Sequence, residues 1–154
     1  MRRGEREITA RAEIDAIIRE SRVCRLGLAD GGRPYVVPLC FGYDGKALYF
    51  HCAREGRKLD ILRSNDQVCF EFDVVERFVE AEQGCGWSLR YRSVIGFGTA
   101  SVIDDPAERL AALDHLMAQY SERRFTFSPE SVARTAVVKV EIRSVSGKAT
   151  KRSS

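Results

Sequence analysis

The chain has 154 residues, the size of one ordinary domain that can bury a full hydrophobic core. Hydrophobic residues make up 44% and charged residues 31% of the sequence, a balance that excludes a chain disordered by composition. The net charge of +3 is too small to indicate a nucleic-acid-binding protein, although one basic pocket for a phosphate would fit it. We therefore expect a single domain over residues 1–154 with no nucleic-acid partner.

Cysteine usage and hydropathy favour a cytoplasmic protein. Cys24, Cys40, Cys52, Cys69 and Cys85 are odd in number, form no C-x-x-C pair and lie in or beside apolar stretches. A disulfide framework or a zinc site would show paired spacing, so we expect reduced thiols in the core and no metal. No apolar run follows the basic start, and no stretch approaches ~20 apolar residues, so neither a signal peptide nor a membrane span is expected.

The first half of the chain changes from helical to strand periodicity. Isoleucines at helical spacing predict an amphipathic helix capped by Thr9. A change to period-2 alternation from Cys24, with turn signals at 30–32 and 44–45, then predicts three strands. The second strand contains Pro38, which cannot donate to a neighbouring strand and so indicates an edge, a bulge or a ligand-facing position. A short helix follows the third strand. In chain order these elements span about residues 10–20, 24–30, 35–43, 47–52 and 56–63.

The second half of the chain is predicted to hold three more strands and two helices. A strand with one dry face precedes a polar segment that we expect to be a loop, and Gly96 and Gly98 then indicate a kink or close backbone approach within a long strand. Asp105, followed by proline and glutamate, predicts a helix start, and Ser128 predicts another. In chain order the segments are 68–74, the loop 75–86, 90–103, 105–120, a short helix from 128, 135–144, and a polar tail at 148–154 that is expected to fray. About six antiparallel strands with few helices predict a mainly β barrel rather than a doubly wound fold.

A candidate anion site lies where the third strand gives way to the short helix. Gly56, Arg57 and Lys58 open this helix, and two cations are electrostatically misplaced there because free amides already make that end positive. A bound phosphate would reverse the argument, since the amides, the dipole and both side chains would converge on one anion. The alternative is a pair of solvated charges that costs roughly a few tenths of a kcal/mol.

Other candidate residues each have a structural alternative. His51 lies on one side of a strand whose opposite side is apolar, which suits a site residue or an ordinary surface histidine. Trp87 and the arginines that follow it can form a cationic aromatic wall or a dimer contact. His115 is assigned to packing. The sequence contains no dinucleotide fingerprint, Walker loop, zinc-protease motif or serine-hydrolase elbow.

Segments spread over most of the sequence resemble one family. They read VCRL (23–26), PYVVPL (34–39), FGY (41–43), LYFH (48–51), EGRK (55–58), VCFE (68–71) and YRSVIGFG (91–98), after Arg2, Arg3 and REI (6–8). Together they resemble the nitroimidazole-resistance branch of the pyridoxamine-5'-phosphate-oxidase-like superfamily. The resemblance implies a six-stranded antiparallel split barrel that forms a homodimer with FMN at the subunit interface.

The same resemblance assigns residues to the flavin. Arg57 and Lys58 match the residues that hold its phosphate, and His51 matches a histidine near the ring, where it would orient or protonate a substrate. The full set expected at the cofactor is Val37, Pro38, Leu39, Phe50, His51, Arg57 and Lys58, with Trp87, Arg92 and Ser93 reaching it from the other subunit.

The function implied is that of an FMN-dependent oxidoreductase, in which a nicotinamide reduces the flavin and an electron-poor molecule such as a nitroimidazole is then reduced. Segment 147–154 lacks the basic motif with which true pyridoxamine phosphate oxidases recognise their substrate, so vitamin B6 oxidation is not expected. Two alternatives stay open. One is an FMN or haem carrier with His51 as an axial ligand, and the other is a nucleic-acid module, which lacks a recognition motif.

Overall fold

The computed structural model describes residues 6–150, in which antiparallel β-structure dominates. The strands are β1 (Glu7–Ile8), β2 (Cys24–Asp30), β3 (Arg33–Leu39), β4 (Gly42–Tyr43), β5 (Ala47–Ala53), β6 (Gln67–Val79), β7 (Ser88–Val102) and β8 (Thr135–Ala149). The flanking helices are α1 (Arg11–Glu20), α2 (Arg57–Ser64), α3 (Pro106–Ala118) and α4 (Pro129–Arg134). The predicted mainly β fold is confirmed, and the two-residue strand β1 is additional to the six strands that were expected.

One antiparallel sheet holds these strands in the order β3-β2-β6-β7-β8-β5-β4, with β1 paired to β8 beside this path. Strand β7 pairs along most of its length with both β6 and β8. The strand expected over residues 35–43 is divided into β3 and β4. Because β3 ends the sheet, Pro38 lies on an edge strand, where a missing backbone donor is tolerated.

The main hydrophobic core gathers the inward side chains of the sheet with those of α1 and α2. Phe41, Phe70 and Phe72 are fully buried within it, and the ring centroids of Phe41 and Phe72 lie 4.7 Å apart. Gly96 makes room for this packing, because a Cβ there would lie 2.2 Å from the ring of Phe70. The predicted close backbone approach at Gly96 is therefore confirmed.

Strand β5 is covered on both faces over its first half. Tyr49 faces α3 and stacks on His115, with ring centroids 5.3 Å apart, so His115 has the packing role expected of it. The Tyr49 hydroxyl also donates to Asp44 at 2.7 Å. His51 is the first residue of β5 whose side chain is exposed. The fold therefore leaves the imidazole accessible at the point where the strand emerges from the core.

Two strands extend further than the alternation of side chains predicts. Residues 75–79, expected in a loop, continue β6 because they pair with the start of β7. Lys148 and Ala149, expected in a frayed tail, belong to β8 because neighbouring strands pair with them. Residues 151–154 of that tail lie outside the described residues. In both places a neighbouring strand pairs with the backbone N–H and C=O groups, whatever the pattern of side chains.

The helix cap and the cysteines also differ from expectation. Ala10, not Thr9, precedes α1, and no side chain caps that helix. The cysteines are free as expected, and Cys24 is buried, but Cys40 and Cys85 are exposed, so the prediction that all five lie in the core is wrong. Residues 6–150 contain no cluster of three or more His, Cys, Asp or Glu side chains able to hold a metal ion. Within the same range, no helix has both the length and the apolar character needed to cross a membrane.

Candidate functional site

The start of α2 forms an open, positively charged cradle. Gly56 precedes the helix with a φ of 135°, which L side chains rarely adopt, and nothing lies within 4 Å of the position its Cβ would take. No side chain caps the helix, so the amides of its first turn have no intrahelical partner. Arg57 and Lys58 follow directly. These three residues, termed the α2 cradle, combine free N–H groups, a helix dipole and two cations, which together favour an anion.

The two cations of the α2 cradle have different surroundings. The Arg57 guanidinium lies 3.9 Å from a carboxylate oxygen of Asp30 and 4.7 Å from the centroid of the Tyr35 ring, so it faces the β2–β3 hairpin. Lys58 is half-buried and makes no ion pair or hydrogen bond with the part of the chain that the structure describes. An ammonium that the protein leaves unpaired is the group most available to a bound anion.

Val37, Pro38 and Leu39 lie at the end of the edge strand β3. Val37 and Leu39 are half-buried against the main core, and Pro38 between them is exposed. Among the described strands, β3 pairs only with β2, so backbone N–H and C=O groups on its other edge are open to a ligand. This arrangement suits a flat molecule lying along the strand, which is the contact expected of these three residues.

His51 opens onto a small apolar pocket between β5, α3 and α4. The pocket has a volume of about 180 Å³. Its walls are Leu113, Leu116, Met117, Phe127 and Val132, with the hydroxyl-bearing Ser131 and Thr135. Among the described residues that line this His51 pocket, His51 alone carries an ionisable side chain. Its ring nitrogens can therefore hydrogen-bond to a small ligand in an otherwise mostly apolar pocket.

Phe50 lies one residue before His51, with its side chain on the opposite face of β5. Its ring is 1% exposed and belongs to the main core. A contact between Phe50 and a cofactor can therefore come only from its backbone, and in that form the expectation for this residue stays a prediction.

The residues expected to reach the cofactor from a partner subunit lie at or just before the start of β7. Trp87 is 52% exposed, and its indole N–H donates to a backbone carbonyl at 2.9 Å. Arg92 donates to Glu20 at 2.8 Å and to Glu76 at 3.0 Å, while Ser93 is half-buried. No contact found within residues 6–150 joins this group to the α2 cradle or the His51 pocket. One chain therefore does not assemble the whole predicted set.

The face of the sheet opposite the main core carries exposed apolar side chains. Val36 of β3 and Ile95 and Phe97 of β7 are 61%, 46% and 56% exposed. Cross-strand pairing places Val36, Gly27, Cys69 and Phe97 in one row across four strands. This surface is termed the outer sheet face. Several exposed apolar residues on one face of a sheet mark an interaction surface.

An ion cluster crosses the outer sheet face beside that row. Arg25 of β2 pairs with Glu71 at 3.0 Å and also with Asp73. Burial and the neighbouring Asp73 charge raise the pKa of Glu71, although the Arg25 guanidinium opposes them. The Arg25 charge offsets one of the two carboxylates, which lowers the desolvation cost of covering this face with a partner.

Two parts of the site were not among the predicted residues: the far wall of the His51 pocket and a second group of cations. Met117 and Phe127 carry no local signal that would place them opposite His51. Arg54, Arg63 and Arg109 line a recess of about 340 Å³ beside α2. Arg54 and Arg63 flank the Gly-Arg-Lys segment that was singled out, so the density of arginines there was a usable signal, whereas Arg109 offered none.

The chain is similar to known proteins in both sequence and structure. A family model described as pyridoxamine 5'-phosphate oxidase matches residues 10–149. No curated protein matches the sequence. The structure is similar to that of a protein described as a 5-nitroimidazole antibiotic resistance protein from Bacteroides thetaiotaomicron. The two chains share 35% identity with a TM-score of 0.84, over 93% of this chain and 86% of that chain.

Similar structures also include proteins whose names state a flavin or a haem. A FAD and haem binding protein from Mycobacterium smegmatis is 25% identical with a TM-score of 0.83, over 96% of this chain and 74% of that chain. A flavocytochrome from Azotobacter vinelandii is 22% identical with a TM-score of 0.85, over 99% of this chain and 72% of that chain, and this likeness concerns the fold alone. On the family match over 10–149, the chain belongs to the pyridoxamine 5'-phosphate oxidase family.

Proposed function

We propose that this chain is a flavoprotein that binds FMN between the two subunits of a homodimer and reduces small electron-poor molecules, such as nitroimidazoles, with electrons from a nicotinamide. The observation that carries the proposal is the α2 cradle, with its uncapped amides and the unpaired ammonium of Lys58. A flavin phosphate fits these groups, since helix starts with basic side chains bind such anions. The names of two similar proteins also support the proposal, since one states nitroimidazole resistance and the other states binding of a flavin.

Each part of the site has a role toward the flavin. Lys58, Arg57 and the first amides of α2 hold the phosphate. The open edge of β3 at 37–39 supplies backbone donors and acceptors to the polar rim of the ring system. The flavin, when bound, carries the electrons between donor and acceptor, and the protein fixes its position and surroundings.

The outer sheet face supports the homodimer. Val36 on β3 and Ile95 and Phe97 on β7 lie exposed on one face of the sheet, with β2 and β6 between them, and a face of this kind can be self-complementary under two-fold symmetry. A second copy on this face would remove that apolar surface from water. It would also bring its own Trp87 and the start of its β7 toward the cofactor, which a single chain does not achieve.

The His51 pocket suits the electron acceptor. Its volume of about 180 Å³ limits the ligand to a small molecule, and its carbon-rich walls favour a flat, weakly polar ring. The His51 imidazole is placed to orient that ring and to supply a proton as the acceptor gains electrons.

A carrier that binds flavin or haem with little turnover is the second candidate. It is favoured by the likeness to the FAD and haem binding protein and by the exposure of His51, whose neutral imidazole can ligate iron. The two candidates differ in their absorption, because flavin and haem absorb in different regions.

The test is the absorption spectrum of the purified full chain, followed by anaerobic addition of NADH and then of a nitroimidazole. Flavin bands that bleach with the donor and return with the nitro compound support the reductase. The His51→Ala variant should keep its flavin and lose turnover. A Soret band, or a flavin that never cycles, would favour the carrier, and a chain that binds neither group refutes both.

A further inference from the structure

A recess lined by three arginines lies close to the α2 cradle. The recess of about 340 Å³ is bounded by α2, the end of β7, the start of α3 and the junction of α4 with β8. Its polar wall carries Arg54, Arg63, Arg109 and Asp104, and its apolar wall includes Leu59 and Ile103. We propose that this recess binds the phosphate-bearing adenosine half of a dinucleotide, an inference that rests on the proposed function.

The charge in the recess favours an anion. Three guanidiniums line it, against one carboxylate in the wall, Asp104, and a second, Asp60, that lies 2.9 Å from Arg63. Arg63 and Asp60 are both exposed, so water weakens their attraction and a phosphate can compete for the guanidinium. The recess therefore keeps a positive charge that its own carboxylates do not balance.

Two of the guanidiniums are fixed by the end of α4. Arg54 Nη1 donates to the carbonyl of Ala133 at 2.8 Å, and Arg109 Nη2 donates to the carbonyls of Val132 and Thr135. Cations are favoured at a helix C-terminus, which accounts for their position. The remaining N–H groups of both side chains, including the buried Arg109 Nε, have no partner among the residues described. Guanidiniums that are already held in place and still have unused donors lose little conformational freedom when they bind a phosphate.

The recess is lined by residues that lie close in sequence to the α2 cradle, on both sides of it. Arg54 lies in the loop before Gly56, and Leu59 follows Lys58 directly. Arg63 lies one helical turn beyond Leu59, on the same face. FMN ends at the phosphate held by the cradle, whereas a dinucleotide has a second phosphate and an adenosine whose flat faces suit an apolar wall. The volume lies within the range of roughly 300–1,000 Å³ that is usual for small-molecule sites.

Two dinucleotides have this chemistry: FAD in place of FMN as the cofactor, or the nicotinamide dinucleotide that donates electrons. The Arg63→Gln variant tests both, because Arg63 contacts Asp60 and does not hold α4 in place. Arg134→Gln is the matched control, since it removes the same charge from an exposed pair with Glu130 outside the recess. In Arg63→Gln we expect unchanged FMN affinity, with either about tenfold weaker FAD binding or about tenfold higher KM for the donor at unchanged kcat.

Flavin affinities are measured by fluorescence quenching with FMN and FAD separately, and the donor KM by steady-state kinetics. A selective loss of FAD affinity assigns the recess to the cofactor, and a selective rise in the donor KM assigns it to the donor. If Arg63→Gln matches the wild type and Arg134→Gln within about twofold in all three constants, the inference is overturned while the FMN proposal stands. If the wild type binds no flavin, the proposed function fails, and calorimetric titration with ADP tests the recess alone: binding that Arg63→Gln weakens supports it, and no binding overturns it.

Discussion

Replacement of Lys58 by alanine is expected to weaken flavin binding by about 10- to 150-fold and to leave the fold intact. A charge-assisted hydrogen bond to a phosphate is worth about 1.5–3 kcal/mol, which corresponds to that factor. The whole effect should appear because Lys58 has no ion pair or hydrogen bond elsewhere in residues 6–150. Nothing within the described chain therefore competes with the phosphate for this ammonium.

Arg57→Ala is expected to weaken flavin binding less than Lys58→Ala does, because the Arg57 guanidinium also contacts other groups of the protein. The guanidinium lies 3.9 Å from Asp30 and 4.7 Å from the Tyr35 ring centroid. Exposed contacts of these kinds are worth up to about 1 kcal/mol each, so the net loss should be about 2- to 30-fold. Asp30→Asn releases Arg57 and should tighten flavin binding by up to about fivefold.

Fluorescence quenching of added flavin by each variant gives the affinities, and thermal unfolding without flavin checks that the fold is intact. Lys46→Ala is the matched control, because Lys46 is an exposed lysine in the turn between β4 and β5. Flavin affinity of Lys58→Ala within about twofold of the wild type would refute the assignment. An equal loss in Lys46→Ala would show that net charge, rather than the α2 cradle, attracts the flavin.

Three further predictions concern packing, acid stability and assembly. Gly96→Ala puts a Cβ 2.2 Å from the ring of Phe70 and should lower the free energy of unfolding in urea by about 1–3 kcal/mol. Burial alone would raise the pKa of Asp44, but bonds from backbone amides and the Tyr49 hydroxyl lower it, so its contribution to stability is present above its ordinary pKa and is lost as the pH falls through the lowered value. Asp44→Asn should therefore lower the free energy of unfolding in urea by about 1 kcal/mol at pH 7 and by markedly less in acid, where the carboxyl is protonated in both states, and an equal loss under both conditions would contradict this. Phe97→Glu should give a monomer that has lost its flavin in sedimentation velocity, and a flavin-bound dimer would argue against the outer sheet face as the interface.

Features set by residues adjacent in sequence could be predicted from the sequence. Asp105 caps α3 by accepting from the Glu108 amide at 2.8 Å, as the Asp-Pro-x-Glu pattern indicates. Gly31 and Gly32 both have positive φ in the turn between β2 and β3, where only glycine adopts that conformation readily. Both signals act within a few residues, so no knowledge of the fold is needed to interpret them.

Strand length could not be predicted, because it depends on partners far away in the chain. Residues 75–79 are mostly exposed and lack clear alternation, yet pairing with the start of β7 keeps them in β6. Thr9 fails as a cap for a related reason. The chain enters α1 from β1, which pairs with β8, so tertiary pairing rather than side-chain capping fixes that end.

The candidate site also has one part that could be predicted from the sequence and another that could not. Gly56, Arg57 and Lys58 are contiguous, so the α2 cradle is visible in the sequence. The walls of the His51 pocket come from α3, α4 and β8, which only the fold brings to β5. Arg109 is the clearest case, because its place in an amphipathic helix says nothing of the α4 carbonyls that it binds.

Helix α4 joins the two proposed small-molecule sites. Thr135, the first residue of β8 after α4, lines both the His51 pocket and the recess. Arg54 and Arg109 hold the end of α4 by its carbonyls, and the same guanidiniums are proposed to bind the dinucleotide. A phosphate bound to the unused N–H groups of these side chains would hold them, and with them the end of α4 that forms a wall of the His51 pocket, more firmly in place. Occupancy of the recess should therefore change affinity in the pocket, and thermodynamic linkage requires the reverse effect to be equal in size.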